Sequence, residues 1–391
     1  MRNTTLVYSS VSVTSVATGV ILSFLPLYIF EISKSEFLAA SITSIPALAA
    51  IVASPIWGAA RDKTGSSKLL MLVSILPYAA LSFLLIFTRN VLLILVALSA
   101  TALLISASTP VFSSFVTTRS EKRGSALGVL TGSTALGGAV GAFVGGFSYQ
   151  WYDIRLAFLL GGVSALIASL LIGFGLKKDS PITDGDQNSV RHRVSTLTVL
   201  QNRRILSPCI SCFTYMIGAT AFSSLASIYV VNTLGGSKLL WGISSVLAYL
   251  VAAVIMIPTG MISDKIGRKP IIRIGLIASV ALFVSFLFFK DPLMVSLLYV
   301  APLAYIVCIT ITTVITDVTT ERDRGKGIGV QNSWLNAGGV LGPLIGGAIA
   351  EATGIETLFL SVIAVLLFSI AWTEFTVIET RKTKLSPVIS R

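Results

Sequence analysis

Residues 58–67 read GAARDKTGSS, and residues 260–269, 202 positions later, read GMISDKIGRK. Glycine, aspartate, lysine and glycine recur at one spacing: Gly58, Asp62, Lys63 and Gly65 in the first copy, Gly260, Asp264, Lys265 and Gly267 in the second. A further set recurs at an offset of 201. Arg123-Gly124 with Gly128, Gly137, Gly138, Gly141, Gly145 and Gly146 returns as Arg324-Gly325 with Gly329, Gly338, Gly339, Gly342, Gly346 and Gly347. Chance does not align so many residues in this way. The chain is an internal duplication, and what surrounds the two copies decides the fold.

Both copies stand between long apolar runs. Stretches of 16 or more residues without Asp, Glu, Lys or Arg are 3–30, 37–60, 69–88, 90–118, 124–152, 156–176, 205–237, 239–263, 274–289, 292–316, 327–350 and 357–373, twelve in all. A helix crossing the hydrocarbon needs about 20 mostly apolar residues, and a charge at that depth is costly. Barrel strands, at about 10 alternating residues, are too short for these runs. The two shortest runs lengthen at Arg273 and Glu374, which reach the interface. The first run exceeds a signal-peptide core and shows no small-residue cleavage site, so it is read as a retained span. The expected fold is an all-α membrane protein of twelve transmembrane helices in two six-helix halves. Six is even, so both halves share one orientation and are parallel repeats. The expected organisation is a first half at 1–176, a cytoplasmic linker at 177–202 and a second half at 203–391 with a short cytoplasmic tail.

Composition supports this reading. Of 391 residues 54% are apolar and 12% charged, with a mean hydropathy of +0.88; soluble domains carry about 25% charged residues. A soluble enzyme is excluded on that ground. An intramembrane enzyme needs clustered Asp, Glu, His or Cys within the spans, and the runs hold no Asp, Glu or His. Cys209, Cys212 and Cys308 are too few for a disulfide scaffold, and the Cys209-x-x-Cys212 pair lies in an apolar stretch without a βαβ context. The only histidine, His192, stands in the linker with nothing nearby to partner it. No metal or cofactor is expected.

Charge sets the orientation. With the N-terminus cytoplasmic, 24 Lys and Arg fall on inner segments and 5 on outer ones, a strong positive-inside asymmetry. The net charge of +12 then faces anionic lipid headgroups and requires no nucleic acid. The expected location is the plasma membrane, with both termini cytoplasmic and the protein a monomer.

On these motifs the sequence resembles the major facilitator superfamily over essentially the whole chain. The family's loop signature, G-x-x-x-D-[RK]-x-G-[RK]-[RK], is complete in the second half at Gly260, Asp264, Lys265, Gly267, Arg268 and Lys269. In the first half Ser66 and Ser67 replace the two basic residues, and Lys68 follows. Gly65 and Gly267 permit a reversal that a Cβ would hinder. Asp62 and Asp264 stand among cations and free helix N-terminal amides, which favour a carboxylate. The resemblance implies that these aspartates latch the halves in an outward-open state, with Arg119 and Arg322 as candidate partners; topology alone also accounts for basic loops. The Gly329, Gly338, Gly342-Pro343, Gly346-Gly347 pattern resembles the antiporter signature of exporter branches, displaced here from span 5 to span 11. Span 5 keeps the glycines and has Ala142 in place of the proline. Glycines four apart serve plain helix packing equally well.

By resemblance the function is secondary transport by alternating access, with spans 1, 4, 7 and 10 lining a central site. Its candidate residues are Thr14, Thr18, Ser106, Ser108, Tyr215, Thr220, Tyr305 and Thr310, joined from span 11 by Gln331, Asn332, Trp334 and Asn336. Hydroxyls and aromatics without charge suit a small neutral or weakly polar organic solute; sugar phosphates and dicarboxylates need Arg or Lys. Export of drug-like compounds is the leading reading. Uptake of a nutrient or sugar, or a receptor that transports nothing, is the alternative. The Arg that proton-coupled branches carry in span 4 is absent. Coupling to protons is expected to be weak or absent, or to use Glu31 or Asp317, at the ends of spans 1 and 10.

Overall fold

The computed structural model describes residues 2–64, 67–118, 120, 123–176, 202–301, 303–319 and 324–380. The linker with His192, the tail beyond 380, Gly65, Arg119 and Arg322 lie outside the described residues. Within them the chain is helical and no strand occurs. The helices are α1 (Arg2–Ser33), α2 (Glu36–Thr64), α3 (Ser67–Phe87), α4 (Val91–Ile105), α5 (Ser108–Thr118), α6 (Arg123–Trp151), α7 (Ile154–Gly175), α8 (Arg203–Ser223), α9 (Ala226–Ile228, running into a π-helical turn at Tyr229–Thr233), α10 (Lys238–Ile266), α11 (Arg268–Phe288), α12 (Pro292–Tyr299), α13 (Leu303–Val318), α14 (Arg324–Thr353) and α15 (Ile355–Thr376).

Each of the twelve apolar runs is helical, either as one helix or as a broken one. Among the described residues nine are long and apolar enough to cross a membrane unaided. Two further runs are crossed in two pieces, α4–α5 and α12–α13. The last is α14, 30 residues long but rich in glycine and side-chain amides.

The breaks fall in spans 4, 7 and 10. At the first, Ser106 Oγ donates to Leu103 O at 2.8 Å, and at the second Ser224 Oγ donates to Ala221 O at 3.0 Å. A hydroxyl that bonds its own helix backbone competes with the helical ladder. The third lies between α12, which ends at Tyr299, and α13, which begins at Leu303.

Two compact units divide the chain: Met1–Gln187 with Ser227–Ala253, and Asn188–Ala226 with Val254–Arg391. Within the first, α1 packs on α6 and α7, α7 on α3, and α2 on α4. Within the second, α8 packs on α14 and α15, and α15 on α11. The shared pattern is the duplication seen in three dimensions: the first helix of each repeat lies against its fifth and sixth, and the third against the sixth.

The grouping differs from the sequence partition at 203. Residues Ser227–Ala253 pack with the first unit because the amino-terminal part of α10 seats on α1 and α6. Trp241 Nε1 donates to Ser23 O at 2.8 Å, and a Cβ on Gly146 would stand 2.9 Å from Gly242 Cα.

Glycine spacing creates the α1–α6 and α8–α14 contacts. A Cβ on Gly137 would overlap the backbone of Ser12, one on Gly141 that of Val16, and one on Gly145 the ring of Phe24. In the second unit, a Cβ on Gly338 would stand 2.8 Å from Phe213 O, one on Gly342 2.6 Å from Ile217 O, and one on Gly346 2.7 Å from Ala221 Cβ. Residues four apart share a helix face, so three glycines in each helix let a neighbouring backbone approach.

Candidate functional site

A cavity of about 430 Å³ opens in the first unit, bounded by α1, α2, α3 and the α4–α5 break. That size suits a small organic molecule. Its wall is largely aliphatic, from residues such as Leu22, Leu25, Ile42 and Leu98, and among the described residues no Asp, Glu, Lys, Arg or His lines it. Polarity comes from Thr18, Thr43, Thr101, Ser106, Ser108 and Tyr78. Three of these hydroxyls are committed to helix carbonyls: Thr18 to Ser15 at 2.9 Å, Thr43 to Ala40 at 2.7 Å and Ser106 to Leu103 at 2.8 Å. A hydroxyl has one proton and two lone pairs, so these groups face the cavity as acceptors. A broken helix beside a pocket is also a recurring way of building transporter sites.

Of the sequence candidates, Thr18, Ser106 and Ser108 come together here. Thr14 does not join them; it is buried and donates to Ser10 O at 2.8 Å. In the second unit Tyr215 and Thr310 are buried, and Thr310 donates to Ile306 O at 2.7 Å. Thr220 donates to Met216 O at 2.6 Å, beside Gly338. Gln331 is also buried; its Nε2 donates to Thr312 Oγ1 at 2.8 Å, while its Oε1 has no partner among the described residues. Trp334 meets Phe213 edge to face at 5.4 Å. Asn332 and Asn336 are exposed, and the side chain of Tyr305 lies outside those described. Sequence reading missed Tyr78, Thr43 and Thr101, all on the cavity wall. Pro46, also on the wall, and Pro77 beside Tyr78 were signals that α2 and α3 take part.

The second copy of the loop forms a charged cluster. α10 ends at Ile266, Gly267 turns with φ +122°, and α11 begins at Arg268. Only glycine adopts that φ without strain. Asp264 Oδ1 pairs with Arg268 at 2.5 Å, and Arg268 Nε reaches Asp317 Oδ2 at 3.1 Å. Arg268 also donates to Ser263 Oγ at 3.0 Å. The expectation that Asp264 takes the free helix N-terminal amides is corrected. Those of Arg268 and Lys269 bond Glu379, at 3.0 and 3.1 Å, because Asp264 lies on the last turn of α10, before the reversal. Lys265 is exposed, and Gly260 has open space where a Cβ would stand. In the first copy Gly58, Asp62 and Lys63 lie on α2, and their side chains are outside those described.

The serine replacements in the first copy leave one role intact. Lys68 Nζ donates to Leu176 O at the end of α7, at 2.7 Å. Lys269 Nζ donates to Glu374 O near the end of α15, at 2.5 Å. The two lysines are 201 residues apart, the offset of the helices, so Lys68 does the work of Lys269. Arg273 and Glu374, which bracket the two shortest runs, neutralise each other through contacts of 2.7 and 3.0 Å.

The Major Facilitator Superfamily profile matches residues 7–312 and 209–390. The chain belongs to this superfamily. It is 26% identical over 381 residues to the multidrug resistance protein MdtG of Salmonella schwarzengrund (strain CVM19633), covering 94% of this chain and 93% of the relative. The MdtG of Salmonella arizonae matches to the same extent. In fold it is similar to the nucleoside transporter NupG, with a TM-score of 0.81 at 14% identity over 95% of this chain and 98% of that one. A bacterial homologue of the human lysosomal transporter Spinster, in an inward-facing and occupied conformation, gives 0.77 at 14% identity over 95% and 96%. The protein is a major facilitator transporter, a multi-pass membrane protein and not an enzyme.

In this transporter both coupling candidates are engaged. Glu31 Oε1 pairs with Lys238 Nζ at 2.9 Å, and its Oε2 accepts from the Tyr149 hydroxyl. Lys238 Nζ lies 3.5 Å from the centroid of the Tyr149 ring, a cation–π contact. Asp317 accepts from Arg268 and from Thr380 Oγ1, the latter at 2.9 Å.

Proposed function

We propose that this transporter exports small, neutral or weakly polar organic compounds across the plasma membrane by alternating access, with both termini in the cytoplasm. The observation that carries the proposal is the cavity beside the α4–α5 break, whose described lining is aliphatic and without charge, and where the hydroxyls of Thr18, Thr43 and Ser106 are left as acceptors. Such a wall favours lipophilic solutes with a hydrogen-bond donor. It disfavours anions, which no cation there would meet. The similarity to proteins named for multidrug resistance supports export. The glycines of α6 and α14 do not bear on direction, since most of those described meet neighbouring backbone or side chains. Protons, where they drive the cycle, are assigned to Glu31 or Asp317, and the two loop copies to gating.

Filling the cavity tests the reading. Ala102, on α4, lines it, and Ala102→Trp places an indole where the solute would sit. Cells producing the protein should clear a neutral lipophilic dye. The variant, produced in equal amount, should clear it at least about tenfold more slowly, which corresponds to ~1.4 kcal/mol. Dye accumulation driven by the unsubstituted protein would instead favour uptake. Equal clearance by the variant would exclude this cavity from the path.

A further inference from the structure

The signature loop of the second half is held by the chain's own carboxyl-terminal segment. α15 ends at Thr376, and residues 377–380 continue beyond the helix with Val377 and Thr380 buried. From this segment Glu379 places one carboxylate oxygen 3.0 Å from Arg268 N and the other 3.1 Å from Lys269 N. The first amides of a helix lack partners within it, and the helix dipole favours an anion there. The N-cap of α11 is Gly267, which has no side chain to supply one. A Cβ at Gly267 would stand 2.7 Å from Glu379 Oε2. The glycine thus serves twice: it takes the φ of +122°, and it vacates the space that the distant carboxylate fills.

A second contact comes from the next residue. Thr380 Oγ1 donates to Asp317 Oδ2 at 2.9 Å, the same oxygen that takes Arg268 Nε at 3.1 Å. Arg268 in turn holds Asp264. The segment therefore grips both the backbone of the arginine that joins Asp264 to Asp317 and one of that arginine's carboxylate partners. At the equivalent offset of 201 the first half carries Lys178, a cation, where the second has Glu379.

We propose that residues 377–380 form a clasp on the second gating loop, with Glu379 as the positioning residue that aims Arg268 at Asp264 and Asp317. The proposal rests on the gating reading of that loop. Two readouts on the full-length protein keep the two apart. In hydrogen exchange, the amides at 268–269 should be protected. They should exchange at least about tenfold faster in Glu379→Ala, and Glu379→Gln, which keeps an acceptor, should fall between. In liposomes, transport of a dye substrate by Glu379→Ala should slow about tenfold with KM unchanged. The Asp264→Asn, Glu379→Ala double variant should be no slower than Asp264→Asn alone, since both act through Arg268. Unchanged exchange in Glu379→Ala overturns the clasp. Faster exchange with full transport in Glu379→Ala, while Asp264→Asn is impaired, overturns its positioning role and leaves the gating reading standing. Full transport by Asp264→Asn removes the gating reading itself. Should Glu379→Ala not accumulate, Thr380→Val carries the same test, with a smaller slowing expected.

Discussion

Asp264→Asn is expected to slow transport about thirtyfold, ~2 kcal/mol in the limiting barrier, while leaving the amount of folded protein unchanged. The two halves of that expectation have different origins. The Asp264 side chain is 65% exposed, and exposed ion pairs add little to stability. Its partner Arg268 is 12% exposed and also serves Asp317 and Ser263, so loss of one carboxylate leaves a mostly buried guanidinium short of charge. Charged hydrogen bonds of this kind are worth about 1.5–3 kcal/mol, and under the proposed gating role they are broken and remade in every turnover. Asp62→Asn should slow transport less, because Ser66 and Ser67 stand where the second copy has Arg268 and Lys269. Initial rates in liposomes, normalised to folded protein by size-exclusion chromatography, decide it. Equal, near-normal rates for both variants would remove the gating role.

The second large effect concerns folding. Gly141→Val puts a branched side chain where even a Cβ would overlap the backbone of Val16 and approach Gly19 Cα to 3.0 Å. Neither neighbour is a flexible side-chain end, so α1 and α6 must separate. Overpacking typically costs about 1–3 kcal/mol, and a backbone obstacle puts this change at the upper end or beyond. The variant should be recovered in much lower yield and melt well below the parent. Gly128→Ala, on the same helix with nothing within 4 Å of the added carbon, should match the parent in both. If Gly141→Val folds normally but transports poorly, the glycines act in transport and not in packing.

The architecture was legible because its signals are local and repeated. Runs free of charge mark the helices, and an offset of 201–202 residues marks the duplication. Helix breaks were less legible. The breaks at Ser106 and Ser224 depend on hydroxyl bonds to carbonyls three residues back, and serines with such bonds also sit within unbroken helices, as at Ser164. The cavity was half legible: Thr18, Ser106 and Ser108 stood out as polar residues in apolar runs, whereas Thr43 and Tyr78 belong to spans that the family resemblance did not assign to a site. Thr14 and Thr310 looked identical to Thr18 in sequence, yet they point into helix contacts. Glu379 was invisible for another reason. It acts 111 residues away from Arg268, and nothing in the local pattern of either segment announces the other.

Purified protein in liposomes gives the most direct test of the central claim, that a charge-free site moves neutral or weakly polar lipophilic solutes. Flux of such a solute should be saturable, inhibited by a second lipophilic compound, and reduced by Ala102→Trp, while a dicarboxylate and a sugar phosphate should not move. Any acceleration by an imposed pH gradient should be lost in the Glu31→Gln, Asp317→Asn double variant. Saturable flux of the dicarboxylate or the sugar phosphate, with none of the lipophilic solute, would contradict the account.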